Sequence, residues 1–178
     1  MKHIVIDGSY ANEKIGLGIV NLYPDGVISV RSEIVLKKPR VLPRYHSLSA
    51  EFLAAAYALK NTSPGQFVCL YSDSHRVVSF INTPEKTFYI SRSPGTAPLM
   101  EILRDATKGR IVKATHRNRT RFSTIPTVMF NIAHNASAVA SGSSKILPTT
   151  GYPGIFSDTY IHESRKNADQ PHMKMDLG

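Results

Sequence analysis

One cysteine stands among 178 residues, Cys69, inside the apolar run Val68-Cys69-Leu70-Tyr71. A lone thiol excludes an internal disulfide and a cysteine zinc cluster, and its setting points to core packing. Long hydrophobic runs are missing as well. None approaches the ~18 apolar residues that a membrane-spanning helix needs. The apolar part of the opening Met1-Lys2-His3-Ile4-Val5-Ile6 is too short for a secretory signal. The expectation is a cytoplasmic, monomeric protein with no membrane partner. A glycine-rich phosphate loop, a zinc-ligand spacing and a serine-hydrolase elbow are all absent, which removes those chemistries. There is no internal repeat. Acids are scarce: 13 Asp and Glu face 22 Lys and Arg, a formal charge of +9.

Apolar residues make up 42% of the chain, enough for the core of one domain with an extension. The positive charge favours a polyanionic partner such as nucleic acid. Residues 141–178 carry four basic and four acidic residues, so the whole excess belongs to residues 1–140. The same boundary marks a change of character. Beyond it the chain is rich in Gly, Ser, Pro and Thr and lacks periodicity. Residues 1–140 are therefore expected to form one domain and residues 141–178 a flexible tail, with Tyr152, Ile155, Phe156 and Tyr160 as the side chains able to dock.

Within the body, strands are expected at 3–7, 16–23 and 27–36, the last two forming a hairpin around Pro24-Asp25-Gly26. A basic loop broken by two prolines leads to a helix over 50–60. A strand follows at 67–72, a short helix at 74–81 and a polar loop at 84–95. Thr96 can cap the next helix, with Pro98 tolerated in its first turn. Leu99, Ile102, Leu103 and Ala106 supply its apolar stripe, and Gly109 ends it. A fifth strand at 110–115, a basic loop at 116–126 and a helix over 127–140 complete the body. Three strands followed by alternating helices and strands imply a mixed sheet with helices on its faces.

Three acids occupy telling places in this order. Asp7 closes the first apolar run, Glu51 lies early in the first helix, and Asp73 closes the fourth strand. Singly, Asp7 before Gly8 is also a turn residue, Glu51 a helix-start acid favoured by the dipole, and Asp73 a helix cap. Together they can converge into one oxygen-rich cage, which suits hard divalent cations. Two such cations held close together are a common means of cutting a phosphodiester.

The motifs Ile4-Val5-Ile6-Asp7-Gly8-Ser9, Gly16-Leu17-Gly18, Ser49-Ala50-Glu51-Phe52-Leu53-Ala54-Ala55 and Tyr71-Ser72-Asp73-Ser74 resemble those of the ribonuclease H family. The resemblance covers about residues 1–140. It implies a ribonuclease-H-like α/β (mixed α+β) fold, a five-stranded mixed sheet flanked by helices. It also implies a two-metal Mg²⁺ or Mn²⁺ endonuclease that hydrolyses the RNA strand of an RNA–DNA hybrid. Asp7, Glu51 and Asp73 would ligate the metals, and Glu51 would contact the ribose 2′-OH, the group that separates RNA from DNA. The family's mobile histidine after the fifth strand, proposed to help product leave, corresponds to His116, although Thr115-His116-Arg117-Asn118-Arg119 lacks the usual glycine-rich form.

The departure lies on the last helix. The family places a fourth acid four positions after an asparagine. Here that spacing leads from Asn131 to Asn135, which is accordingly the expected fourth metal ligand and brings no charge. A register shifted by one residue puts His134 there instead. Some relatives carry histidine or asparagine at this place. A catalytically weakened nucleic-acid-binding protein, or a nuclease of the same fold acting on another DNA or RNA substrate, is the alternative. The grip on nucleic acid is expected from two basic clusters. One is Lys37, Lys38, Arg40 and Arg44; the other is Arg117, Arg119 and Arg121, joined by Arg110 and Lys113.

Overall fold

The computed structural model of the chain describes residues 1–24, 28–35, 41, 43–84, 96–118, 127–145 and 160–162. Strands β1 (Lys2–Ala11), β2 (Lys14–Leu22) and β3 (Ile28–Val35) come first. Helix α1 (His46–Lys60) follows a single 3₁₀ turn, Pro43–Tyr45. Then come β4 (Phe67–Ser72), α2 (His75–Asn82), α3 (Ala97–Thr107), β5 (Ile111–His116) and α4 (Thr127–Ser141). A last short strand, β6 (Tyr160–His162), closes the order. The sheet runs β5-β4-β1-β2-β3-β6. Strands β1, β2 and β3 form an antiparallel meander, while β4 pairs parallel with β1 and β5 parallel with β4. This is the expected mixed five-stranded sheet with helices on its faces, extended by β6, which lies parallel to β3. Three residues of the expected tail thus pair with the edge of β3, where backbone donors and acceptors otherwise face solvent.

Alternation along β1 decides what each face holds. Ile4 and Ile6 point into a core built with Phe52, Leu53, Leu59, Leu70, Leu99 and Leu103, covered by α1, α2 and α3. Val5 points to the other face and packs with Val20, Val30, Met129, Phe130 and Ile132 under α4. Asp7 follows Val5 on this second face, at the end where β1 leaves β4: the parallel ladder stops at the pair Val5–Tyr71. From there to Ala11, β1 pairs with β2 alone. The strand is longer than the 3–7 expected, because Gly8, Ser9 and Tyr10 break the apolar run yet keep the ladder. Its hairpin turns on Asn12 and Glu13, both with positive φ (49° and 59°). This two-residue loop lacks the usual glycine. The Asn12 amide donates to the Gly142 carbonyl (3.1 Å), which ties the turn to the end of α4.

Other boundaries moved for identifiable reasons. Helix α1 begins at His46 rather than near Ala50, with no side-chain cap to signal its start in the sequence. Thr96 takes the N-cap position of α3 without a capping side-chain hydrogen bond. Gly109, with φ of 70°, ends α3 as expected. Arg110, grouped with the nucleic-acid grip from sequence, is a structural clamp. Its guanidinium donates to the Thr62 hydroxyl and carbonyl (both 2.8 Å) and to the carbonyls of Ala106 and Lys108 (both 3.2 Å). It therefore joins the ends of α1 and α3. Asn82, ending α2, donates to the Ala114 carbonyl (2.7 Å) and accepts from the Ala114 amide (3.0 Å). One side chain thus takes the place of a neighbouring strand on β5. No helix among the described residues is long and apolar enough to cross a membrane.

Candidate metal centre

Two glycine notches bring helices onto Asp7 from opposite faces of the sheet. On one face, a methyl group at Gly8 would lie 2.2 Å from the Ala50 carbonyl carbon and 2.4 Å from the Glu51 nitrogen. Only a residue without Cβ lets α1 lie this close to β1, and the contact falls on the turn that carries Glu51. On the other face, a methyl group at Gly18 would lie 1.9 Å from the Ala133 carbonyl oxygen and 2.7 Å from the Ser137 nitrogen. Gly18 is the ladder partner of Asp7, so the closest approach of α4 is level with the carboxylate. Hydrogen bonds from β1 and β3 lock this docking. Ser9 and Ser141 share one at 3.0 Å, and the Ser32 hydroxyl donates to the Ala136 carbonyl at 2.9 Å.

The three acids expected to meet do so. A carboxylate oxygen from each of Asp7, Glu51 and Asp73 lies within 4.8 Å of the others. Asp7 is buried (6% exposed), Glu51 half-buried, and Asp73 exposed, so the cluster opens to solvent on the β4 side. Burial raises the pKa of Asp7. The Ser137 hydrogen bond opposes that shift, the charge of Asp73 adds to it, and His134 opposes it. Glu51 is pushed well above the ordinary carboxylate range, first by burial and then by the charges of Asp7 and Asp73. Its Oε2 is buried and has no hydrogen-bond partner among the described residues. An orphaned carboxylate oxygen costs free energy unless something fills the place. A set of oxygen donors holding an unpartnered Oε2 among neighbouring carboxylates fits a divalent cation.

Helix α4 answers with groups other than carboxylates. His134 places Nδ1 3.3 Å from Asp7 Oδ2. Ser137, fully buried, donates from Oγ to the same Oδ2 at 2.5 Å. Asn135, the expected fourth ligand, lies about 100° around the helix from His134. His134, the residue of the shifted register, is the one whose side chain lies beside Asp7 Oδ2. Ser137 was missed from sequence. The spacing His134-x-x-Ser137 puts both on one side of a helix, but the sequence does not say that this side meets Asp7.

His116 is the last residue of β5 and is buried (5% exposed). Its Nδ1 accepts from the Asn118 amide (3.1 Å), so Nε2 carries the proton and donates to the Asp73 carbonyl (2.7 Å). Its ring stacks on His75 at 3.5 Å between centroids. Both nitrogens are engaged, so this histidine anchors the backbone of Asp73. That differs from the mobile loop histidine expected from sequence, and the cause is that β5 runs one residue further and turns the ring inward.

Of the basic residues, Arg44 is exposed with its guanidinium 4.9 Å from the Tyr45 ring centroid. Arg117 donates to Asn131 Oδ1 (3.3 Å) and lies over the Phe130 ring, tying it to the start of α4. Lys37, Lys38, Arg40, Arg119 and Arg121 lie outside the described residues.

No family model and no curated protein sequence matches the chain. Solved structures do. An RNase H1 from the halophilic archaeon Halobacterium salinarum is 17% identical, with a TM-score of 0.59 over 80% of this chain and 98% of its own. An RNase H1 isolated from compost by a metagenomic approach is 16% identical, with a TM-score of 0.57 over 80% of this chain and 96% of its own. The N-terminal RNase H domain of a Mycobacterium tuberculosis protein is 14% identical, with a TM-score of 0.53 and the same coverages. The chain has a ribonuclease-H-like fold.

Proposed function

We propose that this protein is a divalent-metal-dependent nuclease that hydrolyses the RNA strand of RNA–DNA hybrids. The observation that carries the reading is the cluster of Asp7 within β1, Glu51 on α1 and Asp73 just past β4 in a ribonuclease-H-like fold, with Glu51 Oε2 buried and unpartnered among the described residues. Asp7 and Asp73 would be the shared ligands, with Glu51 holding one ion and the His134 ring beside Asp7. Bound Mg²⁺ or Mn²⁺ supplies activation of water and stabilisation of the departing 3′ oxygen. The protein's part is to bring the carboxylates together against their mutual repulsion. His116 fixes Asp73 by holding its carbonyl, and exposed Asp73 leaves the cluster open toward a bound strand.

The basic body supplies attraction for phosphates, with Arg44 and Arg117 as the described members of the grip. Binding should therefore weaken steeply with salt. The deciding experiment incubates purified protein with labelled RNA–DNA hybrid, duplex DNA and duplex RNA in Mg²⁺ or Mn²⁺. Cleavage of the RNA strand of the hybrid, abolished by EDTA, is the expected result. Cleavage of another substrate would reassign the specificity. The second reading, a binding protein without catalysis, draws on one observation: α4 brings no carboxylate to Asp7. Hybrid binding without cleavage of any substrate in either metal would decide for it.

A further inference from the structure

We propose that Ser137 is a positioning residue for Asp7, holding one oxygen of that carboxylate so that the other is presented to the metal. The inference rests on the metal-dependent reading above. The Ser137 hydroxyl carries one proton and has two acceptors in reach, Asp7 Oδ2 at 2.5 Å and the His134 carbonyl at 2.8 Å. A carboxylate is the stronger acceptor, because hydrogen bonds to a charged group are shorter and stronger than those to a neutral carbonyl. The proton therefore goes to Asp7. Its shorter distance agrees with that choice.

The consequence is orientational. Oδ2 is the oxygen engaged from α4, by the Ser137 hydroxyl and by His134 Nδ1 at 3.3 Å. Holding it sets the rotation of the carboxylate about its Cβ–Cγ bond. Oδ1 is then the oxygen left free of α4, the one that would be available to a cation held with Glu51 and Asp73. Ser137 is fully buried and sits where Gly18 lets α4 press on β2 opposite Asp7. The group cannot swing away, and water cannot replace it from bulk solvent. Partners of this kind, bonded to a ligating carboxylate rather than to the metal, are worth about 10-fold or more in metal affinity.

The test compares wild type, Ser137→Ala and Ser137→Thr in the full chain. Mn²⁺ binding is measured by the electron paramagnetic resonance signal of the free ion, and folding by circular dichroism in EDTA. Ser137→Ala should bind Mn²⁺ about 10-fold more weakly. The Mn²⁺ concentration for half-maximal hybrid cleavage should rise by the same factor, with the rate at saturating Mn²⁺ close to wild type. Ser137→Thr keeps the hydroxyl and should keep the affinity. A folded Ser137→Ala protein with wild-type Mn²⁺ affinity would overturn the inference alone. So would equal losses in the Ala and Thr variants, or a Ser137→Ala protein that no longer folds, since the hydroxyl would then be structural. Wild type that binds no Mn²⁺ would overturn the nuclease reading and this inference with it.

Discussion

Asp7 is met from two sides, and the two sides are built alike but supply different chemistry. On one face, Gly8 admits α1, and α1 delivers a carboxylate, Glu51. On the other, Gly18 admits α4, and α4 delivers an imidazole and a hydroxyl, His134 and Ser137. The scaffold device is the same: a strand glycine lets a helix backbone approach to a distance no side chain permits. The charge is not. Glu51 adds repulsion to the cluster and is held with a raised pKa. The α4 groups oppose the rise at Asp7. One side adds negative charge to the cluster while the other steadies buried Asp7. A fourth acid on α4 would have added negative charge from both sides at once.

The largest expected effect comes from the open edge that both sides share. Asp73→Asn removes an exposed carboxylate of the cluster without disturbing either helix. Cleavage should fall on the order of a thousandfold, the several kcal/mol that metal-assisted charge stabilisation supplies. The melting curve in EDTA should stay at wild type or rise slightly, because a repulsive charge has gone. Wild-type cleavage in this variant would remove Asp73 from the site.

Next come the notches. Gly8→Ala and Gly18→Ala each force a methyl group into helix backbone, and each should cost about 2 kcal/mol or more by denaturant unfolding. The comparison sharpens in the metal response. Gly8→Ala should displace Glu51 and weaken Mn²⁺ binding directly. Gly18→Ala should act through His134 and Ser137 and weaken it less. Equal loss of metal affinity at both positions would show that the two faces do not contribute separately.

A smaller effect tests which α4 residue faces the cluster. His134→Asp adds a carboxylate beside Asp7 and should lower the Mg²⁺ concentration needed for cleavage by about 10-fold. Asn135→Asp, about 100° around the helix, should change it less. The reverse order would favour Asn135 as the fourth ligand.

The smallest is a pH trend. Burial, followed by the charges of Asp7 and Asp73, raises the folded-state pKa of Glu51, and burial likewise raises that of Asp7. Carboxyls of this kind bind protons more tightly folded than unfolded. Their contribution to stability is full below the unfolded pKa and is lost as pH rises through the folded value. In EDTA the melting temperature should therefore fall as pH rises across the range above the ordinary carboxylate pKa. Glu51→Gln should flatten the trend, and excess Mg²⁺ should oppose it. A Glu51→Gln profile as steep as wild type would place the titration elsewhere.

The sequence by itself determined the order of the first five strands and of the four helices, the mixed sheet and the three acids that converge; β6 in the tail gave no such signal. The reason is local: apolar periodicity marks strands and helices, and an acid that closes an apolar run sits on the strand that the run forms or just past it. It was less informative where no local signal exists. Helix α1 starts without a side-chain cap, the β1–β2 turn uses Asn12 and Glu13 instead of glycine, and β5 keeps one more residue than its apolar pattern shows. Only the tertiary structure decided that His116 turns inward to hold Asp73 and that Arg110 joins two helix ends. It also decided that α4 faces Asp7 with His134 and Ser137. A helix pattern fixes which residues share a side, but the rotation of that helix against the sheet is set by long-range packing. Here that packing is the fit of Ala133 and Ser137 backbone into the space left by Gly18, 115 and 119 residues away in the chain.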